Sequence, residues 1–283
     1  MSVLGVARRD LKSGRRSRAL WAFGTLLALL VGVVAFGYQG YRVSPLRTVQ
    51  QLFDTLVLLL AVLLPIVALV ASYMAIAGER ESGGIKFLLG LPNTRRDVFL
   101  GKLLSRLVVV WTGIAFLFVA ATSLAVARNG VLPVGMVAGL FALSLLYAGV
   151  FVAVAVALSA AVASKSRAIA TAVGAYFALV VLYVVPGIRI TTVVQWVHTT
   201  VLGMEPNLRL YNAVTFTSPL VAFRKAANLV RPEAFQREVF RRAPDAGEVP
   251  AYLGDEMGVV VLAVWVVLPL AVGYVRFQRS DLE

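Results

Sequence analysis

Cysteine is absent from this sequence, and histidine occurs once, at His198. The first absence excludes disulfides, thiolate catalysis and Cys-ligated metal. The second leaves no HExxH pair, His-triad metal site or Ser-His-Asp constellation to be assembled from one chain. A GxxxxGK[ST] phosphate loop is also missing. Gly83-Gly84-Ile85-Lys86 has neither the first glycine spacing nor the Ser or Thr that must follow the lysine, so ATP is not bound in that manner. Charge is scarce as well: Asp, Glu, Lys and Arg make up 14% of the chain against 60% hydrophobic residues.

That scarcity is uneven. The stretches 19–38, 55–77, 107–127, 132–163, 168–186 and 257–275 contain no charged residue at all. Each is long enough, at about 20 residues per crossing, to span a bilayer. A central Lys, Arg or Asp costs roughly 2.5 to 3.5 kcal/mol on insertion, so such runs enter lipid readily and carry no ion relay. Paired-carboxylate proteolysis within the membrane needs acids inside the spans, and only Asp54 lies even at an edge. With a mean hydropathy of +0.86, the composition specifies an all-α polytopic membrane protein, read as six transmembrane helices in a single domain, 1–283. The first run exceeds the roughly 7 to 15 apolar residues of a signal-peptide core and is read as a retained span.

Basic residues orient the chain. Arg8, Arg9, Lys12, Arg15, Arg16 and Arg18 precede the first span, and Arg80, Lys86, Arg95, Arg96, Lys102 and Arg106 lie between the second and third. Lys165, Arg167, Arg276 and Arg279 fall on the same side, whereas the short loops opposite hold only Arg42, Arg47 and Arg128. The positive-inside rule therefore places both termini in the cytoplasm, for a chain in the plasma membrane. The net charge of +13 is explained by topology and anionic headgroups, and no aromatic-interleaved basic module points to nucleic acid. Within 1–18, Val3, Leu4, Val6, Ala7 and Leu11 share one helical arc. The segment reads as an amphipathic interfacial helix or as a basic flank, and both can hold.

Other features qualify the spans. Pro65 predicts a kink in the second. The stretch 132–163 is too long for one perpendicular crossing, which implies tilt, a break near Gly149 or a protruding end. Small residues recur at every fourth position, Gly149, Ala153, Ala157 and Ala161, then Ala170, Gly174 and Ala178, a seam spacing that lets helix backbones approach in lipid. The second seam is read as packing within the subunit or against a second copy, the former preferred. Residues 187–256 are too long for a simple turn. There Ile190, Val193, Val194, Val197 and Val201 follow helical spacing, with His198 read as an interfacial polar residue. After Pro232, the pairs Glu233/Arg237 and Glu238/Arg242 predict another helix.

The segment 78–106 is the most distinctive. Glu79-Arg80-Glu81 extends the second helix past the membrane, Gly83-Gly84 breaks it, and Ile85, Phe87, Leu88 and Leu89 form a short apolar face that Pro92 ends. Thr94 and Asp97 have capping-box spacing and open a helix running through Gly101-Lys102 into the third span. The expected product is a helix lying across the membrane surface, where a soluble partner could push.

The order Glu79-Arg80-Glu81-Ser82-Gly83-Gly84-Ile85-Lys86-Phe87-Leu88-Leu89, Leu91-Pro92, Thr94-Arg95-Arg96-Asp97 and Gly101-Lys102 resembles the signature between spans two and three of ABC transporter permeases of the type-2 exporter class. The ending Tyr274-Val275-Arg276-Phe277-Gln278-Arg279-Ser280-Asp281-Leu282 is similar to that family's closing helix. The resemblance implies a permease that dimerises, with itself or a paralogue, and binds a separate cytoplasmic ABC ATPase. It has no cofactor of its own, since ATP and Mg sit on that partner. It further implies that the surface helix couples the two proteins, with Glu79, Glu81, Lys86, Phe87, Arg95 and Arg96 contacting or orienting the ATPase, and that membrane lipid surrounds the rest. An ion-coupled carrier would instead need titratable groups in the spans and usually an inverted repeat, neither of which is present. A non-transporting structural or sensory subunit fits nearly as much of the sequence.

Overall fold

Apolar residues in lipid must satisfy every backbone polar group within their own segment, and a helix is the way a single segment does so. The computed structural model describes residues 3–14, 32, 44–85, 94–185, 188–238 and 250–279, and among these all regular structure is helical. The long elements are α1 (Val3–Gly14), α2 (Pro45–Ser72), α3 (Ala77–Glu81), α4 (Arg95–Asn129), α5 (Val134–Ala161), α6 (Lys165–Val184) and α10 (Glu256–Arg279). Among the described residues between α6 and α10 lie three shorter α-helices: α7 (Ile190–Trp196), α8 (Leu208–Phe216) and α9 (Pro219–Asn228).

Five helical stretches, Pro45–Glu81, Arg95–Asn129, α5, α6 and α10, are long and apolar enough to cross a membrane. They coincide with five of the six expected spans, and the sixth, 19–38, lies outside the described residues except for position 32. Helix starts follow local chemistry. Ser44 Oγ accepts from Arg47 N before Pro45. At α4 the capping box is complete: Asp97 N donates to Thr94 Oγ1 at 3.1 Å and Thr94 N to Asp97 Oδ2 at 3.0 Å. Gly130, at φ 68°, closes α4 in the left-handed conformation that glycine adopts without strain.

The centre of the bundle is α5, which touches α2, α4, α9 and α10. It runs unbroken through Gly149, so its excess length resolves as a single 28-residue helix, about 42 Å long at 1.5 Å per residue. The seam on α5 is used: a Cβ on Gly273 of α10 would lie 2.6 Å from Ala157 Cα, so only glycine lets these helices approach so closely. The seam on α6 is different. Ala170, Gly174 and Ala178 are exposed, and a Cβ on Gly174 would meet nothing within 4 Å, while Ala168 and Ala172 face inward.

The segment after α6 enters the bundle. Tyr147 of α5 stacks on Phe223 of α9 at 4.2 Å, and its hydroxyl donates to Ala61 O at 2.7 Å. Two expectations are corrected here. The helix after Pro232 is a single 3-10 turn, Glu233–Phe235. Arg237 turns from Glu233 to the buried Asp54 at 2.7 Å, because an exposed i,i+4 pair contributes only about 0.2 to 0.5 kcal/mol and cannot compete with a buried carboxylate. His198 is buried, not interfacial: its Nδ1 lies 2.9 Å from Tyr211 Oη, which gives the imidazole a partner away from water. Arg242 lies outside the described residues.

Candidate functional site

At one end of the bundle, α1, α3, the start of α4, the start of α6 and the ends of α5 and α10 converge. The chain turns after Ser72, and the freed amides of Ile76 and Ala77 both donate to Ser159 Oγ of α5 at 3.0 Å. That hydroxyl satisfies two helix-start donors at once and fixes where α3 leaves α2. Gly83, at φ 73°, then lets the chain reverse after Glu81.

Charge holds the elements together. Lys102 of α4 donates from Nζ to Asp10 Oδ1 of α1 at 2.6 Å and to Glu79 Oε1 of α3 at 2.7 Å. Ser105 Oγ donates to the second oxygen of Asp10, which also pairs with Arg106 at 3.1 Å. Two acids and two bases thus balance, and the side chains of Lys102 and Asp10 are only 4% and 6% exposed. Burial pushes the Asp10 carboxyl up, but Arg106, Lys102 and Ser105 together outweigh it and hold the group below its ordinary value. Shape matches the charge: a Cβ on Gly101 would lie 2.7 Å from Val6 Cβ, so α1 rests directly on α4 where α4 has no side chain.

The remaining charged residues reach other elements. Arg80 donates to Val162 O at 3.4 Å and lies 5.6 Å from the centre of the Phe277 ring. Arg95 donates to Phe277 O at 3.0 Å and Gln278 O at 2.9 Å, a cation on the open carbonyls ending α10. Glu81 accepts from the backbone N–H of Lys165 and faces its ammonium at 3.7 Å.

Of the residues expected at a coupling surface, Glu79, Glu81 and Arg95 are therefore brought together as internal ties. Arg96 is exposed and is one of the residues lining an apolar groove of about 600 Å³ between α4 and α10. Lys86 and Phe87 lie outside the described residues. Sequence reasoning missed Asp10 and Ser105. A signal existed for Asp10, the one acid in a basic N-terminal segment, and for Lys102, one turn before Arg106 on the same helix face.

Known proteins are similar to this chain in sequence. A family model described as "ABC-2 family transporter protein" matches residues 4–282. The chain is 33% identical over 186 residues to a probable ABC transporter permease protein, NosY, of Pseudomonas aeruginosa, covering 64% of this chain and 68% of that protein. It is 33% identical over 187 residues to the protein of the same description from Stutzerimonas stutzeri, covering 64% and 67%. With helices fit to cross a membrane and a match along almost its entire length, the chain belongs to the ABC-2 transporter family, as a membrane-spanning permease subunit.

Proposed function

We propose that this chain, a single permease domain over 1–283, dimerises and couples to a separate cytoplasmic ABC ATPase to export a substrate across the plasma membrane, with both termini in the cytoplasm. The observation that carries the reading is Lys102. Its one ammonium joins α1 through Asp10 and α3 through Glu79, while Glu81 and Arg95 tie the flanking chain to α6 and α10. A displacement of segment 78–106 is then imposed on several helices together, as a coupling element requires. Glu79, Glu81 and Arg95 act as orienting residues, and Arg96, with Lys86 and Phe87, supplies the docking contacts. Hydrolysis and its Mg belong to the partner, so no catalytic residue is needed here. The exposed Ala170, Gly174 and Ala178 are offered to the second permease copy, and the remaining apolar exterior faces lipid.

The test is gentle extraction of the native membrane, affinity capture of this chain and identification of what co-purifies. A near-stoichiometric protein with a GxxxxGK[ST] loop, lost on Arg96→Glu, supports the reading. Intact permease dimers without any such protein, under conditions that preserve a known ABC complex, reject it.

A further inference from the structure

At the far end of α2 from Glu79, a second charged cluster has a different composition. Asp54 is held from two sides, by Arg231 Nε at 2.8 Å on one oxygen and by Arg237 NH2 at 2.7 Å on the other. The side chains of Asp54 and Arg231 are 4% and 1% exposed, and that of Arg237 is 45% exposed. Two guanidinium groups on one carboxylate leave a positive charge in excess. Arg224 of α9 and Arg189, just before α7, add two more. Burial, with Arg237 and Arg189 nearby, pushes the Arg224 guanidinium down from its usual value, and Arg231 is pushed down too, burial and its arginine neighbours outweighing Asp54. Among the described residues, Arg224 makes no hydrogen bond or ion pair, and Arg189 reaches only Val184 O at 3.5 Å. The Arg231–Asp54 contact leaves Arg231 Nε and Asp54 Oδ1 without a well-directed hydrogen bond.

Half-buried cations that repel one another are costly to hold together unless an anion joins them. Planar guanidinium forks suit an oxyanion, and several of them suit one with more acceptor oxygens than a carboxylate offers. We propose that Arg189, Arg224, Arg231 and Arg237 form a binding site for a phosphate-type oxyanion, at the end of the bundle opposite the Lys102 network. Asp54 is the template that fixes Arg231 and Arg237, and Arg224 and Arg189 provide the unspent charge. The ligand is a free anion or the headgroup of an anionic lipid. The site does not depend on the ATPase reading, because every group in it comes from this chain.

The full chain in nanodiscs of neutral phosphatidylcholine is titrated with inorganic phosphate at constant ionic strength, chloride balancing the salt, and binding is followed by calorimetry and melting temperature. Saturable binding that raises Tm, weakened tenfold or more in Arg224→Gln and less in Arg189→Gln, supports a free anion. Arg209→Gln, an exposed arginine outside the cluster, leaves binding unchanged. A Tm rise in discs containing phosphatidylglycerol that Arg224→Gln abolishes, with no effect of phosphate, supports the lipid headgroup. Arg224→Gln itself raises the Tm of the anion-free protein, since a repelled charge is removed, which separates lost binding from lost folding. If neither phosphate nor phosphatidylglycerol changes the wild-type Tm in a way that Arg224→Gln removes, the proposal is overturned.

Discussion

The two ends of the stretch Pro45–Glu81 carry charged clusters built on opposite principles. Near Glu79, two acids meet two bases, each charge faces one of opposite sign, and the group joins α1, α3 and α4. Near Asp54, one acid faces a set of arginines, and Arg224 has nothing to balance it among the described residues. A balanced buried network is a lock, because removing any member strands another. An unbalanced one is a receptor, stable to the extent that something from outside completes it. The same residue types therefore serve connection at one end and recognition at the other, and the charge count distinguishes the two.

The comparison is broken most severely at the lock. Lys102→Met leaves the buried Asp10 with Arg106 and Ser105 and takes from Glu79 its ammonium partner, and breaking a buried pair by removing one partner costs about 3 to 5 kcal/mol. The loss is read as a fall in denaturation midpoint. Adding Asp10→Asn and Glu79→Gln to the same protein recovers much of it, since no uncompensated charge remains. At the other end Asp54→Asn strands Arg231 and costs about 3 kcal/mol in phosphate-free buffer. Here the anion that the wild type binds, phosphate or phosphatidylglycerol, restores part of the loss, whereas neither does anything for Lys102→Met. Rescue of both variants, or of neither, would remove the distinction between lock and receptor.

How far each cluster could be read from the sequence follows from its range. Five of the six expected spans were legible because charge-free runs are local and lipid enforces them, and the Thr94/Asp97 cap because its partners are three residues apart. The long fourth run left three outcomes open, and the break near Gly149 is removed by a single helix packed against α2 and α10. Glu79, Arg95 and Arg96 were found by motif, but motif could not tell which of them point inward. Lys102 and Asp10 are 92 residues apart, and Arg237 and Asp54 are 183 apart. Local spacing pairs Arg237 with Glu233, and the nonlocal contact wins because Asp54 is already buried. Likewise His198 reads as interfacial until α8 brings Tyr211 against it.

Smaller changes sharpen the lock itself. Gly101→Ala places a methyl group into Val6, and overpacking of that kind costs about 1 to 3 kcal/mol. The expected signature is release of α1, seen as faster proteolysis between 1 and 18, with α4 intact. Acid gives a graded version. The folded Asp10 pKa lies below its unfolded value of 3.8, so its contribution is fully present above pH 3.8, is lost as pH falls through the lower folded value, and disappears once both states are protonated. Asp10→Asn is less stable at neutral pH and shows a flatter decline below pH 4. An unchanged slope in the variant would mean that another carboxyl carries the acid sensitivity.

The smallest effect on stability is expected at Arg96, and it is the most informative about function. Its side chain is exposed at the start of α4, and a surface substitution there changes stability by about 0.5 kcal/mol or less. Its neighbour Arg95 is spent on the carbonyls at the end of α10, so adjacent arginines separate two roles. Arg95→Ala lowers the melting temperature and weakens partner binding through displaced structure. Arg96→Glu leaves the melting temperature unchanged and reduces capture of the ATPase at least tenfold, because it reverses a charge that only an outside surface meets. If Arg96→Glu captures the partner as well as wild type while Arg95→Ala does not, docking lies elsewhere on segment 78–106. The charged residues of α3 and the start of α4 would then hold the surface in place without touching what binds it.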